Sequence, residues 1–385
     1  MENFKRDLLQ DRYACFDKYR DRSPFFAPEL NAHVFLKYAD IITCLKNPLA
    51  SSNRKQKQFE EVRHCPFSKN LAGFYENWLM YMDGDRHTET RKNLNQSLSQ
   101  AAKRILPLIE GYFDNLVRTG LFRPGEQIDI VAAVSKPFVT HILSRLFGLK
   151  FETYIEIIKV SKPIVMFLGN GDVKDDNARR EVAASLSKTY QIMSDAIAAC
   201  EDEESLIGEM IKNGNSSEII TPILINVIID GFDPLLSVLT NYFYFRSRHE
   251  KNPLFHQPVM IFDELLRLEP PFQYCARLAS GDMDINGYQI EAGERMMSFI
   301  GAGNRDPQVF SNAAEIEERP KIPTHLSFGM GAHFCSGATL SRKVSISFFE
   351  NINSVLKDKF YEIVDYEWID SLGYRMLAKL QVKIF

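Results

Sequence analysis

The 385-residue sequence has no Cys-x-x-Cys pair, no excess of positive charge, no internal repeat and no Gly/Ser-rich linker. Each absence excludes something. The six cysteines, Cys15, Cys44, Cys65, Cys200, Cys275 and Cys335, are scattered, which argues against a disulfide framework and a structural zinc site. Forty-six Lys and Arg face fifty Asp and Glu, a formal net charge of −4, so the basic field of a nucleic-acid binder is missing. The opening stretch, MENFKRDLLQDRYACFDKYR, interrupts every apolar run with charge, so neither a signal peptide nor a membrane anchor is expected there. The most apolar stretch, Ile219 to Phe232, contains Thr221, Pro222, Asn226 and Asp230 and reads as a buried helix. The expectation is a cytoplasmic, monomeric chain that binds neither membrane nor nucleic acid.

Hydrophobic residues at 45% and charged residues at 25% provide enough apolar surface to offset ordering entropy, so the chain should fold. Length alone suggests two or three domains. Apolar residues recur at helical spacing from about Ala101 to Arg246, with glycine-containing breaks at Gly120, Gly125, Gly169, Gly171 and Gly214. A further helical run, PVMIFDELLRL, stops at Pro270 and Pro271. Short β-type pieces with an Asn286-Gly287 turn follow, then an irregular stretch from Gly301 to Leu326. A last long helix is expected from about Ser336 to Leu356, with a β tail turning near Ser371 to Gly373. The fold class is mainly α with a small β region.

The strongest chemical signal is Ser327-Phe328-Gly329-Met330-Gly331-Ala332-His333-Phe334-Cys335-Ser336-Gly337-Ala338. It delivers one cysteine to a helix N-terminus, where the dipole and free N–H groups favour thiolate over thiol. Gly329, Gly331 and Gly337 allow close approach to a flat partner, Phe328 offers an aromatic wall, and His333 is a donor for an anionic group. A lone cysteine before a helix is usually a buried thiol, but Phe-Gly-x-Gly-x-His-x-Cys-x-Gly is far more specific. This loop resembles the haem-ligand loop of the cytochrome P-450 family. A zinc reading through His333 and Cys335 lacks a second ligand pair.

The resemblance extends over most of the chain and implies one haem domain over residues 1–385 with the P-450 fold. Cys335 is then the axial thiolate to the iron of haem b, with Phe328 and Gly337 lining the cofactor. Glu264 and Arg267, at i and i+3 on one helix face, resemble the family's structural ion pair, and Arg319 is the candidate third member. Asn304-Arg305-Asp306-Pro307 resembles the segment before it. His87 and Arg91, one helical turn apart, with Arg277 and His333, fall at the family's propionate-binding positions. Substrate contacts fall, by the same resemblance, on Leu71, Phe74, Trp78, Met166, Phe167, Phe232, Phe272, Tyr274 and Leu372.

The sequence departs from the family in the distal helix. Where an acid and a threonine usually relay protons to iron-bound oxygen, this chain has Asp230-Gly231-Phe232-Asp233-Pro234. Gly231 and Asp233 match; Pro234 supplies neither hydroxyl nor N–H, and it frees the Asp230 carbonyl and should kink the helix. Three consequences stay open: substrate-assisted proton delivery, a relay through Asp233, Asp230 and water, or use of hydrogen peroxide. Relatives with proline here that bind fatty acids carry an arginine beside it. Asp233 stands there instead, which disfavours an anionic substrate and favours neutral or amine-bearing ones.

The implied function is a haem-thiolate monooxygenase oxidising a small organic molecule in specialised metabolism. A peroxygenase or a non-catalytic haem ligand-binding protein is the alternative. Electrons would come from an external ferredoxin or flavodoxin with its reductase, docking near Arg342, Lys343, Lys103 and Arg104.

Overall fold

The computed structural model describes residues 3–54, 60, 69–170, 176–319, 323–357 and 359–385; at 69–72 and from 165 to 176 no side chain is described. The chain divides into two compact units. The first comprises Met1–Ser51, Ile109–Pro137 and Asp233–Phe385, and the second comprises Ser52–Leu108 and Phe138–Phe232.

All described β-structure lies in the first unit. A five-stranded sheet runs in the order Phe25–Ala27, Ala32–Phe35, Arg295–Ser298, Cys275–Ala279, Ala50–Ser51. Its only parallel pair matches His33 to Met296; Arg277 sits opposite Met296 on the antiparallel side. The Asn286-Gly287 turn joins Met283–Ile285 to Tyr288–Ile290, with both residues at positive φ (51° and 90°), as a tight hairpin between two residues of this type requires. The C-terminal strands Tyr361–Trp368 and Leu377–Ile384 pair antiparallel, and Gln127–Asp129 adds the third strand.

Apolar alternation on these strands faces two clusters. One gathers Phe35, Ile41, Cys44, Met296 and Leu326; the other gathers Phe4, Phe16, Tyr19 and Phe299 beneath the N-terminal helices Phe4–Gln10 and Arg12–Arg20. Asp11 ends the first of those helices and caps the second, its carboxylate accepting from Tyr13 N and Ala14 N at 3.1 Å. The irregular stretch expected after Gly301 opens on a short helix, Ile300–Gly303. The last long helix is Ala338–Val355, two residues later in its start than its sequence suggests.

The second unit is helical. Helices Gly84–Ala101, Lys136–Phe147, Phe151–Asn170, Asp176–Ala198 and Leu206–Lys212 build it, the third and fourth packing along one another. Helix Ser217–Arg248 belongs to the second unit up to Phe232 and to the first from Asp233. By length and composition it could cross a membrane, yet 67% of its most apolar window is buried, as in a core helix. Helical structure continues across Pro234.

Candidate functional site

The Cys335 loop is built from backbone hydrogen bonds outward. Leu326 N donates to Asn304 Oδ1 (2.7 Å), while Asn304 Nδ2 donates to Ser327 Oγ (2.9 Å) and Ser327 Oγ to Leu266 O (2.6 Å). Asn304 is fully buried, so the loop's entry is tied to the helix Pro258–Leu268 by groups that water does not reach. Gly329 and Gly331 take φ of +69° and +72°; Gly331 has a second constraint, because an added Cβ would lie 2.7 Å from the Leu45 carbonyl oxygen. The loop closes where Cys335 N donates to Phe328 O at 2.8 Å. Cys335 is left exposed, unlike the buried Cys15 and Cys44, and stands three residues before the N-terminus of Ala338–Val355. Phe328 is half-buried among Phe262, His325 and Phe334.

Behind the loop lies a second network. Glu264 and Arg267 are 4% and 2% exposed and form a two-pronged pair, Nη2 to Oε1 at 2.7 Å and Nε to Oε2 at 2.8 Å. Arg267 Nη1 also donates to Asn304 O and Ala313 O, and Nη2 to Glu315 O, so all of its N–H groups are engaged. Arg319 Nε reaches the same carboxylate at 3.0 Å, making the three-member cluster, and its Nη groups donate to Ser311 O, Asn312 O and Glu315 O.

Three connections carried no sequence signal. Asp263, beside Glu264 but on another helix face, pairs with His325 Nε2 (3.3 Å) and with Arg342. Asn226 Nδ2 donates to Asp230 Oδ2 at 2.5 Å, one turn along the distal helix. Glu269, 5% exposed, accepts from Tyr13 and Arg375.

The remaining candidates are distributed as follows. In the first unit, Arg277 is 8% exposed and His333 half-buried. Phe272 meets Tyr374 (ring centroids 5.0 Å apart), and Tyr274 and Leu372 pack on the cluster around Phe299. In the second unit, His87 is buried near the start of Gly84–Ala101 and Arg91 is half-buried a turn later. Phe74 and Trp78 lie in a cluster of tilted and edge-on rings with Tyr75 and Tyr190, and Phe232 packs near Tyr154. An added Cβ on Gly231 would meet nothing within 4 Å, so the distal helix borders open space there. The side chains of Leu71, Met166 and Phe167 lie outside the described residues. Lys343 is exposed, but Arg342 is held by Asp263, Arg104 by Asp202 (Nη1–Oδ1 2.8 Å) and Lys103 by Gln100, so three of the four cations expected to meet a donor already have partners.

Comparison with known proteins bears on this arrangement. Residues 259–352, which span the ion-pair cluster and the cysteine loop, match the family model described as cytochrome P-450. The chain is 23% identical over 400 residues to the polyketide biosynthesis cytochrome P-450 PksS of Bacillus subtilis, covering 98% of this chain and 97% of that one. It is 25% identical over 353 residues to cytochrome P-450 109 of Bacillus spizizenii, covering 86% and 80%. Among solved structures, CalO2 superposes with a TM-score of 0.86 at 19% identity, covering 100% and 98%. A P-450 BioI complex with an acyl carrier protein ligated to hexadec-9Z-enoic acid superposes at 0.81 and 18%, covering 98% and 99%.

The first unit's residues fit a flat, anionic, iron-bearing group. Cys335 is an exposed residue on a hydrogen-bonded loop, and an added Cβ on Gly337 would come no nearer to its sulfur than 3.8 Å. Arg277 is a buried guanidinium whose hydrogen bond goes to the Ala276 carbonyl (2.9 Å), with no carboxylate partner among the described residues. A buried cation in that condition calls for an anion.

Proposed function

We propose that the chain is a cytochrome P-450, a haem-containing oxidoreductase of the monooxygenase type whose iron is held by a cysteine thiolate, and that Cys335 is that ligand. Cys335, an exposed residue three positions before a helix N-terminus, is the observation that carries the reading. Arg277 and His333 would hold propionate oxygens, and the resemblance adds His87 and Arg91 in the second unit. Phe328 and Gly337 would lie against the macrocycle, and the whole of residues 1–385 serves one haem domain.

Bound there, haem supplies dioxygen activation with two external electrons: one oxygen atom enters the substrate and the other leaves as water. The chain's own residues handle the protons. Asp233 and Asp230 are the groups able to hold and pass a proton on the distal helix, because Pro234 has no hydroxyl. With the alcohol missing, a substrate hydroxyl or amine completes the delivery. The substrate is a small organic molecule of specialised metabolism, consistent with the polyketide-biosynthesis name of one relative. A separate ferredoxin or flavodoxin with its reductase supplies the electrons, and the enzyme works as a cytoplasmic monomer. Pro234 favours one second reading, peroxide as oxidant; Asp233 beside it opposes the fatty-acid form of that chemistry.

The ferrous–CO spectrum tests ligation: a strongly red-shifted Soret band is expected, and its absence from the haem-loaded protein overturns the assignment of Cys335. Turnover with surrogate ferredoxin and reductase, set against peroxide alone, then decides the oxidant.

A further inference from the structure

The C-terminal turn that carries Leu372 is fastened to the N-terminus of the chain. Arg12 Nη2 donates to Ser371 O at 2.7 Å, joining residues 359 positions apart. Next to it, Tyr13 Oη donates to Glu269 Oε2 at 2.6 Å, and Arg375 Nε donates to that same oxygen at 3.0 Å. Arg305 lies with its guanidinium 3.6 Å from the Tyr13 ring centroid and 3.6 Å from the other Glu269 oxygen. Burial pushes the Tyr13 phenol above its ordinary value, with Glu269 adding to the effect, so it stays a donor. The turn is also tied to the segment after Pro271: Gln273 N donates to Gly373 O and Arg375 N to Pro271 O, both at 2.9 Å. Ser237 Oγ, on the distal helix, donates to Arg375 O at 2.9 Å.

These bonds lie within the first unit, and they converge on one short turn from the chain's beginning, the end of the Glu264 helix and the distal helix. A turn of this kind has few internal hydrogen bonds of its own, so its position is set by what grips it. Low dielectric around Glu269 strengthens each charged bond and makes a missing donor costly.

We propose that Arg12 and Tyr13 are positioning residues that fix the substrate-facing turn 371–375, making the N-terminal helix a determinant of substrate specificity. The role rests on the reading of Leu372 and Phe272 as substrate wall. Neither residue touches substrate; both act through Ser371 and the Glu269–Arg375 pair.

Holoenzyme carrying Tyr13→Phe or Arg12→Met is compared with wild type and with Lys18→Gln, a change on the same helix away from Glu269. Imidazole, which needs only the iron, and 4-phenylimidazole, which also needs room at the wall, are titrated spectrally. Expected are unchanged imidazole affinity and a 4-phenylimidazole dissociation constant altered roughly three- to tenfold, the factor for about one net hydrogen bond. Amides at 373–375 should exchange faster in both variants and not in Lys18→Gln. Equal weakening of both ligands, or faster exchange with neither affinity changed, makes the contact merely structural and overturns the proposal. Wild-type protein without a thiolate spectrum overturns the reading of the site itself, a result the exchange data alone cannot produce.

Discussion

Arg342, on the helix that follows the cysteine loop, donates from Nη1 to Asp263 Oδ2 at 3.0 Å, and Asp263 also holds His325 at the loop's entry. One carboxylate thus joins the helix before the site, the loop and the helix after it. Burial alone would raise the Asp263 carboxyl, but its bonds to His325 and Arg342 hold it below the ordinary range. A depressed carboxyl contributes stability above its unfolded value, near pH ~4, and the contribution disappears as pH falls through the folded value. Asp263→Asn should therefore flatten the acid limb of thermal stability below about pH 4 and cost no more than about 1 kcal/mol at neutral pH, since both side chains are more than a third exposed. Melting temperatures across an acid series check this; an unchanged acid limb contradicts it.

Glu264→Gln leaves the buried Arg267 and the 12%-exposed Arg319 side chain facing a neutral amide. A loss of about 3–5 kcal/mol is expected, with poor recovery of haem-loaded protein. Urea unfolding and the ratio of haem to protein measure both effects.

Two glycines of the loop should fail differently. Gly331→Ala forces a left-handed residue and a Cβ 2.7 Å from the Leu45 carbonyl, so about 1–3 kcal/mol of folding stability is expected to go, with or without cofactor. Gly337 has φ −84° and room in the fold, so Gly337→Leu should fold normally and yet take up haem poorly. Circular dichroism against haem titration separates the two; equal haem uptake by Gly337→Leu and wild type would place the cofactor elsewhere.

Asp230 and Asp233 put two acids on the distal helix, and Asn226 fixes the orientation of the first. Alkylamines are expected to bind more tightly than carboxylates of matched length, with the preference shrinking in Asp230→Asn. Tighter binding of the carboxylates would contradict it. With the substrate completing the delivery, Pro234→Thr should leave the share of reducing equivalents that reach product unchanged for a substrate bearing a hydroxyl or amine and raise it for a matched analogue lacking one; product formed per electron supplied measures both, and no gain with the analogue contradicts it.

Local pattern carried much of this. The Glu264–Arg267 pair follows from i, i+3 spacing, the Asn286-Gly287 hairpin from turn chemistry, and the loop from its glycines. Arg319 was legible through family resemblance alone, because nothing in its spacing points to Glu264. The Arg12–Ser371 bond had no signal, since an arginine among charged helix residues looks solvated until the fold brings a carbonyl to it. Arg342 misled for a related reason. It reads as a free surface cation, and only the neighbouring helix shows that Asp263 holds it. Phe74 and Trp78 read as pocket wall, but aromatic packing on each other would give the same pattern.

The engagement of every Arg267 donor also sets an order of assembly. Its outermost acceptor, the Glu315 carbonyl, lies 48 residues downstream, so during synthesis the guanidinium must wait, hydrated, until that segment has left the ribosome. A chain halted before then presents an unsatisfied cation where its core should close, and cannot consolidate around it.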